Sequence, residues 1–209
     1  MTNPKTLPDE PGTRTRLINA MVHTLQYRGL HGAGLSEILA RAQAPKGVLY
    51  HHFPGGKTAL AVAAIEATVS FSCAMLDKLM QGHADPAVGL RAWIARAMGG
   101  LGESGFERGC PLGTVALEST AADVEIRQAL CAGFAAIRGR IAAALAAAGH
   151  DAARAEGVAA LMVAAYEGGL LQARVANDVG PMLQATETLL SLLDQPAPGP
   201  KDPPCKESP

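Results

Sequence analysis

Apolar positions recur three and four residues apart along most of the chain, which is the spacing of helices with one buried face. A first helix is predicted over residues 13–28, capped by Thr13 and stopped by a left-handed Gly29. Two short helices follow, over residues 35–42 and from residue 46 to about residue 53. A tight turn separates these two helices, so the pattern predicts a helix–turn–helix near the N-terminus.

Six longer helices are predicted after this pair, most of them starting or ending at Pro, Gly or Asp. They run over residues 56–81, 86 to about 101, 111 to about 119, 123–148, 152–176 and 181 to about 193. The predicted fold class is therefore all-α, with about nine helices in a small three-helix N-terminal head and a larger helical body. The predicted divisions are a flexible arm (1–12), the head (13–55), the body (56–194) and a disordered tail (195–209).

Composition supports a helical, intracellular protein. Alanine is abundant, and only 4% of the residues are aromatic and 18% are charged. No uninterrupted apolar run reaches the roughly 18 residues of a membrane span, and no secretion signal is visible, so we expect a cytoplasmic protein without a membrane partner. The four cysteines are widely spaced, which disfavours zinc and a disulfide framework. We predict no metal and no cofactor.

Charge is distributed unevenly along the chain. Residues 1–60 contain seven Lys or Arg and three acids, a net charge of +4, whereas residues 61–209 contain 11 basic and 16 acidic residues, a net charge of −5. A basic head on an acidic body suits a protein that binds nucleic acid with one end. The net charge of −1 for the whole chain does not show this difference between its two parts.

The second helix of the helix–turn–helix has the residues that reading DNA requires. Leu49 and Phe53 lie one turn apart and can anchor it to a core, which leaves its other faces open. The residues on those faces suit phosphate or base contacts, and Lys57 begins the next helix beside them. The DNA-contact residues predicted in this way are Lys46, Gly47, Val48, Tyr50, His51 and Lys57. The alternative is a helix–turn–helix used only for packing.

The stretch PKGVLYHHFPGGKTAL (residues 45–60) resembles the recognition-helix signature of TetR-family transcriptional regulators. Together with GLSEILARAQAPKG and the later GCPLGTVALE, it resembles the LmrA/YxaF-like subgroup. The resemblance adds Ser36 and Pro45 to the predicted DNA-facing residues. These stretches depart from the family pattern at three positions. The family usually has Gly in the turn where Gln43 stands, Ser or Thr where Pro45 stands, and a hydroxyl cap where Gly34 stands.

The resemblance implies that the body encloses a ligand pocket and pairs two subunits. The predicted pocket walls are Met75, Trp93, Met98, Cys110, Leu112, Leu117, Phe134, Met162 and Tyr166, although ordinary core packing would also explain each of them. Small residues along the last two long helices favour close helix contacts, so we predict a homodimer formed through roughly residues 152–193. Two identical heads would match palindromic double-stranded operator DNA.

The main hypothesis is a ligand-responsive transcriptional regulator, a repressor that a small lipophilic effector releases from its operator. It is not an enzyme in this hypothesis and has no catalytic residue. The alternatives are a small-molecule-binding helical protein, a helical module that binds protein, or a Cys-dependent enzyme that uses Cys110 without binding DNA. Four polar residues lie among apolar neighbours, namely Glu118, Tyr166, Glu167 and Gln172. One of them could bind a ligand or a partner subunit, and a salt bridge to Arg138, Arg140 or Arg174 is an equal alternative.

Overall fold

The computed structural model describes residues 12–81, 83, 85–191 and 193 of the chain. Within these residues the protein has nine α-helices and no strand, which confirms the predicted class and helix count. The helices are α1 (Thr13–Arg28), α2 (Leu35–Arg41), α3 (Lys46–His52), α4 (Gly56–Gln81), α5 (Pro86–Glu103), α6 (Pro111–Glu118), α7 (Val124–Ala147), α8 (Ala152–Ala176) and α9 (Gly180–Ser191). Apart from Gly12, the predicted arm and tail lie outside the described residues.

Local signals set some of the helix ends and mislead at others. The side chain of Asp85 accepts a hydrogen bond from the Ala87 N–H at 2.8 Å, and Pro86 occupies the first position of α5, as its missing N–H allows. The predicted cap at Thr13 is wrong, because the Gly12 carbonyl already accepts the first hydrogen bond of α1 and makes Gly12 the cap.

Two clusters of buried apolar side chains hold the helices together. The first joins α1, α2 and α3 to the start of α4 and to residues of α6 and α7, and it contains the fully buried Leu17, Met21, Leu49 and Leu60. The second packs the rest of α4 against α5, α7, α8 and α9. Since α4 contributes to both clusters, the head core does not end at residue 55, and the predicted domain boundary there remains a prediction.

Two helices, α4 and α7, are long and apolar enough to cross a membrane when judged by length and composition alone. Single charges such as Glu66 interrupt the apolar runs of the sequence, although the mean hydropathy of both helices remains high. Both helices supply side chains to the two buried clusters, and core helices pass the same test. Their buried side chains account for part of this hydropathy.

Candidate functional site

Helix α3 turns its apolar side chains toward the first core and leaves the opposite side open to solvent. Leu49 is fully buried and Phe53, at the C-terminal end, is 4% exposed. On the other side Lys46 and His51 are exposed, and Tyr50 is 49% exposed. Lys46 and Tyr50 lie one turn apart, which places them on a common face that a nucleic acid can reach.

The other predicted DNA-facing residues are also accessible. Ser36, Pro45 and Gly47 are exposed, whereas Val48 and Lys57 are half-buried. A Cβ built on Gly47 would have no heavy atom within 4 Å, so the backbone of α3 is open to close approach at this point. These residues surround the N-terminal half of α3 and the start of α4.

Two left-handed residues set the direction of α3. Gln43, in the turn before it, has a φ of +49°, and the Ala44 N–H next to it donates to the Leu39 carbonyl at 3.0 Å. Gly56, which opens α4, has a φ of +63°, and a Cβ there would lie 3.4 Å from the Tyr50 ring. Helix α3 is thus held between two sharp turns, with Tyr50 resting against the second.

Two arginines of α1 contact other parts of the three-helix head. The Arg16 Nε donates to the Ala42 carbonyl at 3.0 Å, which ties α1 to the end of α2. The Arg14 guanidinium lies 5.3 Å from the centroid of the Phe53 ring, within the range of a cation–π contact. Arg16 therefore has a structural role, while Arg14 is exposed beside the end of α3.

The paired histidines at the end of α3 do not converge on a common point. The rings of His51 and His52 have centroids 5.1 Å apart and planes at 67°. Among the residues that the structure describes, no group of three or more His, Cys, Asp or Glu is placed to hold a metal ion.

A cavity of about 150 Å³ lies in the body, between the two buried clusters. Its walls come from α4, α5, α6, α7 and α8, from the loop before α6, and from Gln26 of α1. Trp93 and Tyr166 form one side, with parallel rings whose centroids are 4.2 Å apart and whose planes differ by 13°. Phe71 of α4 also lines it and is 60% exposed, although helical spacing places it on the apolar stripe of α4.

A thiol and a carboxyl meet at the edge of this cavity. The Cys110 side chain hydrogen-bonds to Glu167, and burial raises the pKa of both groups. Glu167 fills the space beside Gly113, where a Cβ would lie 2.4 Å from its Oε2. Because the raised pKa keeps the Cys110 thiol protonated, this cysteine is a poor nucleophile and the hypothesis of a Cys-dependent enzyme loses its main support.

Most of the predicted pocket residues are found at cavities. Those that line the 150 Å³ cavity are Met75, Trp93, Cys110, Leu112, Phe134 and Tyr166. Leu117 lines a second cavity of about 330 Å³ between α6, α7 and α8, which shares five wall residues with the first. Met98 and Met162 line neither cavity and pack in the second core, so for these two the alternative of ordinary packing holds.

Glu118 performs a function that the sequence did not predict. Its carboxylate accepts hydrogen bonds from the backbone N–H groups of Leu30 and His31, the latter at 3.1 Å, and it occupies the space beside Gly29. It forms no ion pair with Arg138, Arg140 or Arg174. The carboxylate therefore joins the end of α6 to the loop that follows α1.

A second link between head and body lies at the other end of α6. The Gly109 N–H donates to the Gln26 carbonyl at 2.9 Å, and Gln26 itself lines the cavity. Sequence reasoning also missed Arg96 and Arg108 among the cavity walls. Helical periodicity marks buried apolar positions, so it gave no signal for polar residues at a cavity mouth.

Comparison with known sequences decides the family. Residues 17–64 match the family described as "Bacterial regulatory proteins, tetR family", and residues 86–188 match "Transcriptional regulator LmrA/YxaF-like, C-terminal domain". An HTH-type transcriptional regulator of Mycobacterium tuberculosis is 31% identical over 189 residues, covering 87% of this chain and 94% of that protein. The chain belongs to the TetR family of transcriptional regulators.

Other relatives support the assignment of this TetR-family regulator. The HTH-type transcriptional regulator LmrA of Bacillus subtilis is 28% identical over 87% of this chain and 96% of its own length. A crystal structure of the regulatory protein TetR from Rhodobacter sphaeroides is 28% identical, has a TM-score of 0.76, and is matched over 86% of this chain and 97% of its own.

A crystal structure of Escherichia coli NemR in its reduced form is 25% identical, with a TM-score of 0.73 over 85% of this chain and 94% of its own. The protein is a DNA-binding transcriptional regulator and not an enzyme, as the sequence predicted. Regulators of this family bind operator DNA and act as dimers.

Proposed function

We propose that this TetR-family regulator is a homodimeric repressor that leaves its operator when a small lipophilic effector enters the 150 Å³ cavity. The observation that carries the proposal is the position of α4. Leu60 and Ala64, near its start, are buried in the head core, and Ser72 and Met75, two to three turns later, line the cavity. An occupant that displaces the middle of α4 must therefore also move the head.

The loop before α6 makes a second connection between the head and the cavity. Its Gly109 holds α1 through the Gln26 carbonyl, and Cys110 beside it is a cavity wall. The effector must bind the released conformation more tightly than the operator-bound one, because a ligand with equal affinity for both does not shift the equilibrium between them.

The proposed DNA contacts follow from the exposed side of α3. Lys46 reaches a phosphate or a guanine edge, Val48 contacts a thymine methyl, and Tyr50 and His51 donate to phosphate oxygens. Lys57 adds a positive charge at the start of α4. The remaining proposed contacts, at the rim of this surface, are Ser36, Pro45 and Gly47. Since operator DNA lies in the bacterial cytoplasm, we place the protein there.

The proposed dimer interface is an apolar stripe along α8. Leu161, Ala164, Gly168, Leu171 and Val175 follow one another at intervals of three and four residues, so they lie on one face. In the single chain Leu161 is 55%, Leu171 54% and Val175 83% exposed. A helix face of this kind in a protein that acts as a dimer is best covered by the same face of a second copy.

The proposal is tested by fluorescence anisotropy with labelled DNA from upstream of the protein's own gene, against scrambled DNA, at two salt concentrations. We expect selective binding that weakens steeply with salt, because counterions are released from the phosphates. Lys46→Ala and Tyr50→Ala should each weaken selective binding about tenfold or more, because a side chain that binds a base or a phosphate contributes roughly 1–3 kcal/mol.

Lys78→Ala is the matched control, since Lys78 is an exposed lysine in the last turn of α4, away from the head. Lys78→Ala makes the same change in net charge as Lys46→Ala and should leave the operator affinity unchanged. Wild-type affinity in both the Lys46 and Tyr50 variants, with the proteins folded, would refute the assignment of α3 as the DNA-reading helix.

A further inference from the structure

The cavity bounded by Trp93 and Tyr166 has the size of one aromatic ring. Its volume is about 150 Å³, and an apolar cavity of that volume in another protein accommodates benzene. The rings of Trp93 and Tyr166 stack on each other, with centroids 4.2 Å apart, and this aromatic pair lines one side of the cavity. An aromatic occupant packs well against such a pair, since both edge-to-face and offset-stacked arrangements are favourable. Shape and surface both suit a ligand built on a single ring.

Two guanidinium groups stand at this cavity, one from α5 and one from the loop before α6. Arg96 is exposed and Arg108 is half-buried. Neither guanidinium has a hydrogen bond or an ion pair with any described residue, whereas those of Arg28, Arg91 and Arg140 each pair with a carboxylate.

The Arg108 side chain is held close to the backbone of α5. A Cβ built on Gly100 would lie 2.6 Å from its Nη2, so glycine at this position makes room for the guanidinium. The one carboxyl among the described cavity walls is Glu167, which hydrogen-bonds to Cys110. Burial raises the pKa of Glu167, and its carboxyl is paired with the Cys110 thiol rather than with either of the two arginines.

We propose that the effector is a small aromatic carboxylate, with its ring against Trp93 and Tyr166 and its carboxylate bound by Arg96 and Arg108. This inference rests on the proposed function, in which the cavity is the effector site. A guanidinium presents paired N–H donors that match a carboxylate, and two of them favour an anion over a neutral or cationic compound of the same shape.

The full-length protein carries its own reporter for this site, because Trp93 is the single tryptophan of the chain. Titrations followed by Trp93 fluorescence would compare benzoate, benzyl alcohol and benzylamine, which share a ring and differ in charge. We expect saturable binding of benzoate about tenfold tighter than of the other two, which corresponds to about 1.4 kcal/mol. Equal or tighter binding of benzyl alcohol or benzylamine, or no response to any of the three, would overturn the proposal.

Variants then test the arginines. Arg96→Gln and Arg108→Gln should each weaken benzoate binding about tenfold and leave the affinity for benzyl alcohol unchanged. Arg127→Gln, an exposed arginine of α7 that lines neither cavity, is the matched control and should bind benzoate like wild type. If a Gln variant fails to fold, the Arg→Lys variant, which keeps the charge without the paired donors, should show an intermediate weakening. Unchanged benzoate affinity in both arginine variants refutes the assignment.

Operator release, measured separately by anisotropy, distinguishes this inference from the proposed function. Benzoate that shifts Trp93 fluorescence but leaves the operator complex intact would support the anion site and refute its role in release. Release by a neutral compound that also shifts Trp93 fluorescence, with no preference for benzoate, would support the effector cavity and refute the aromatic carboxylate.

Discussion

At the scale of single residues, the backbone of the helix–turn–helix contains one strained position. Gln43 has a φ of +49°, a left-handed conformation that costs a residue with a Cβ about 1–2 kcal/mol. Gln43→Gly should raise the free energy of unfolding by about 0.5–1 kcal/mol, since glycine removes this strain but loses more entropy on folding. Urea unfolding measures the difference. A destabilised variant would mean that the Gln43 side chain contributes more than its backbone costs.

The carboxyl of Glu167, a half-buried residue, predicts a pH dependence. Its pKa is raised from an ordinary value of 4.5, mainly by burial, so above pH 4.5 the folded state binds a proton that the unfolded state releases. The contribution of Glu167 to stability should therefore fall as pH rises from 4.5 through the raised pKa of the folded state. Glu167→Gln stays neutral and should not show this fall.

The measurement for Glu167 is urea unfolding of wild type and variant across that pH range. Subtracting the unfolding free energy of the variant from that of wild type at each pH removes the contribution of titrating groups that both proteins share. The titratable groups that interact with Glu167 are Cys110 and Tyr166, and both are present in both proteins. Parallel stability curves for the two proteins would show that Glu167 ionises as it does in the unfolded chain.

At the scale of elements, the end of α6 is joined to the head by Glu118. Its side chain, 26% exposed, accepts hydrogen bonds from Leu30 and His31. Glu118→Ala leaves both N–H groups without this acceptor and should destabilise the protein by about 2 kcal/mol. Urea unfolding measures the total destabilisation, and faster amide exchange at Leu30 and His31 would localise it. Glu118→Gln, which keeps one acceptor oxygen, should be destabilised less. Equal stability of wild type and Glu118→Ala would show that the Glu118 hydrogen bonds do not stabilise the contact between α6 and the head.

The bounds of whole elements were well predicted where the chemistry is local. Residues 56–81 and 152–176 are helices as predicted, because glycine, proline and aspartate mark helix ends through their own backbone preferences. The contacts of Glu118 and Gln26 were not predictable in this way. Their partners are 88 residues away from Glu118 and 83 from Gln26, and no periodic pattern records which helices become neighbours.

The same limit applied to the candidate site. The outer face of α3 could be predicted from the one-turn spacing of Leu49 and Phe53, because these two residues determine which side is buried. The spacing of α4 placed Phe71 on the apolar stripe, but the structure leaves it 60% exposed at the cavity. A cavity wall and a packed core use the same apolar residues, so only the tertiary arrangement separates Phe71 from its neighbours.

At the scale of the whole molecule, the proposed function requires a second copy of the chain, and regulators of this family act as dimers. The exposed stripe of α8 would bury Leu171 and Val175 against a partner, and a charge placed there would have to be desolvated without a counter-ion. Leu171→Glu should therefore weaken the dimer at least about tenfold in sedimentation, and operator affinity should fall with it because two linked heads bind together. Val124→Glu, at an exposed valine at the start of α7, should remain dimeric. A Leu171→Glu protein that sediments as wild type would place the interface elsewhere.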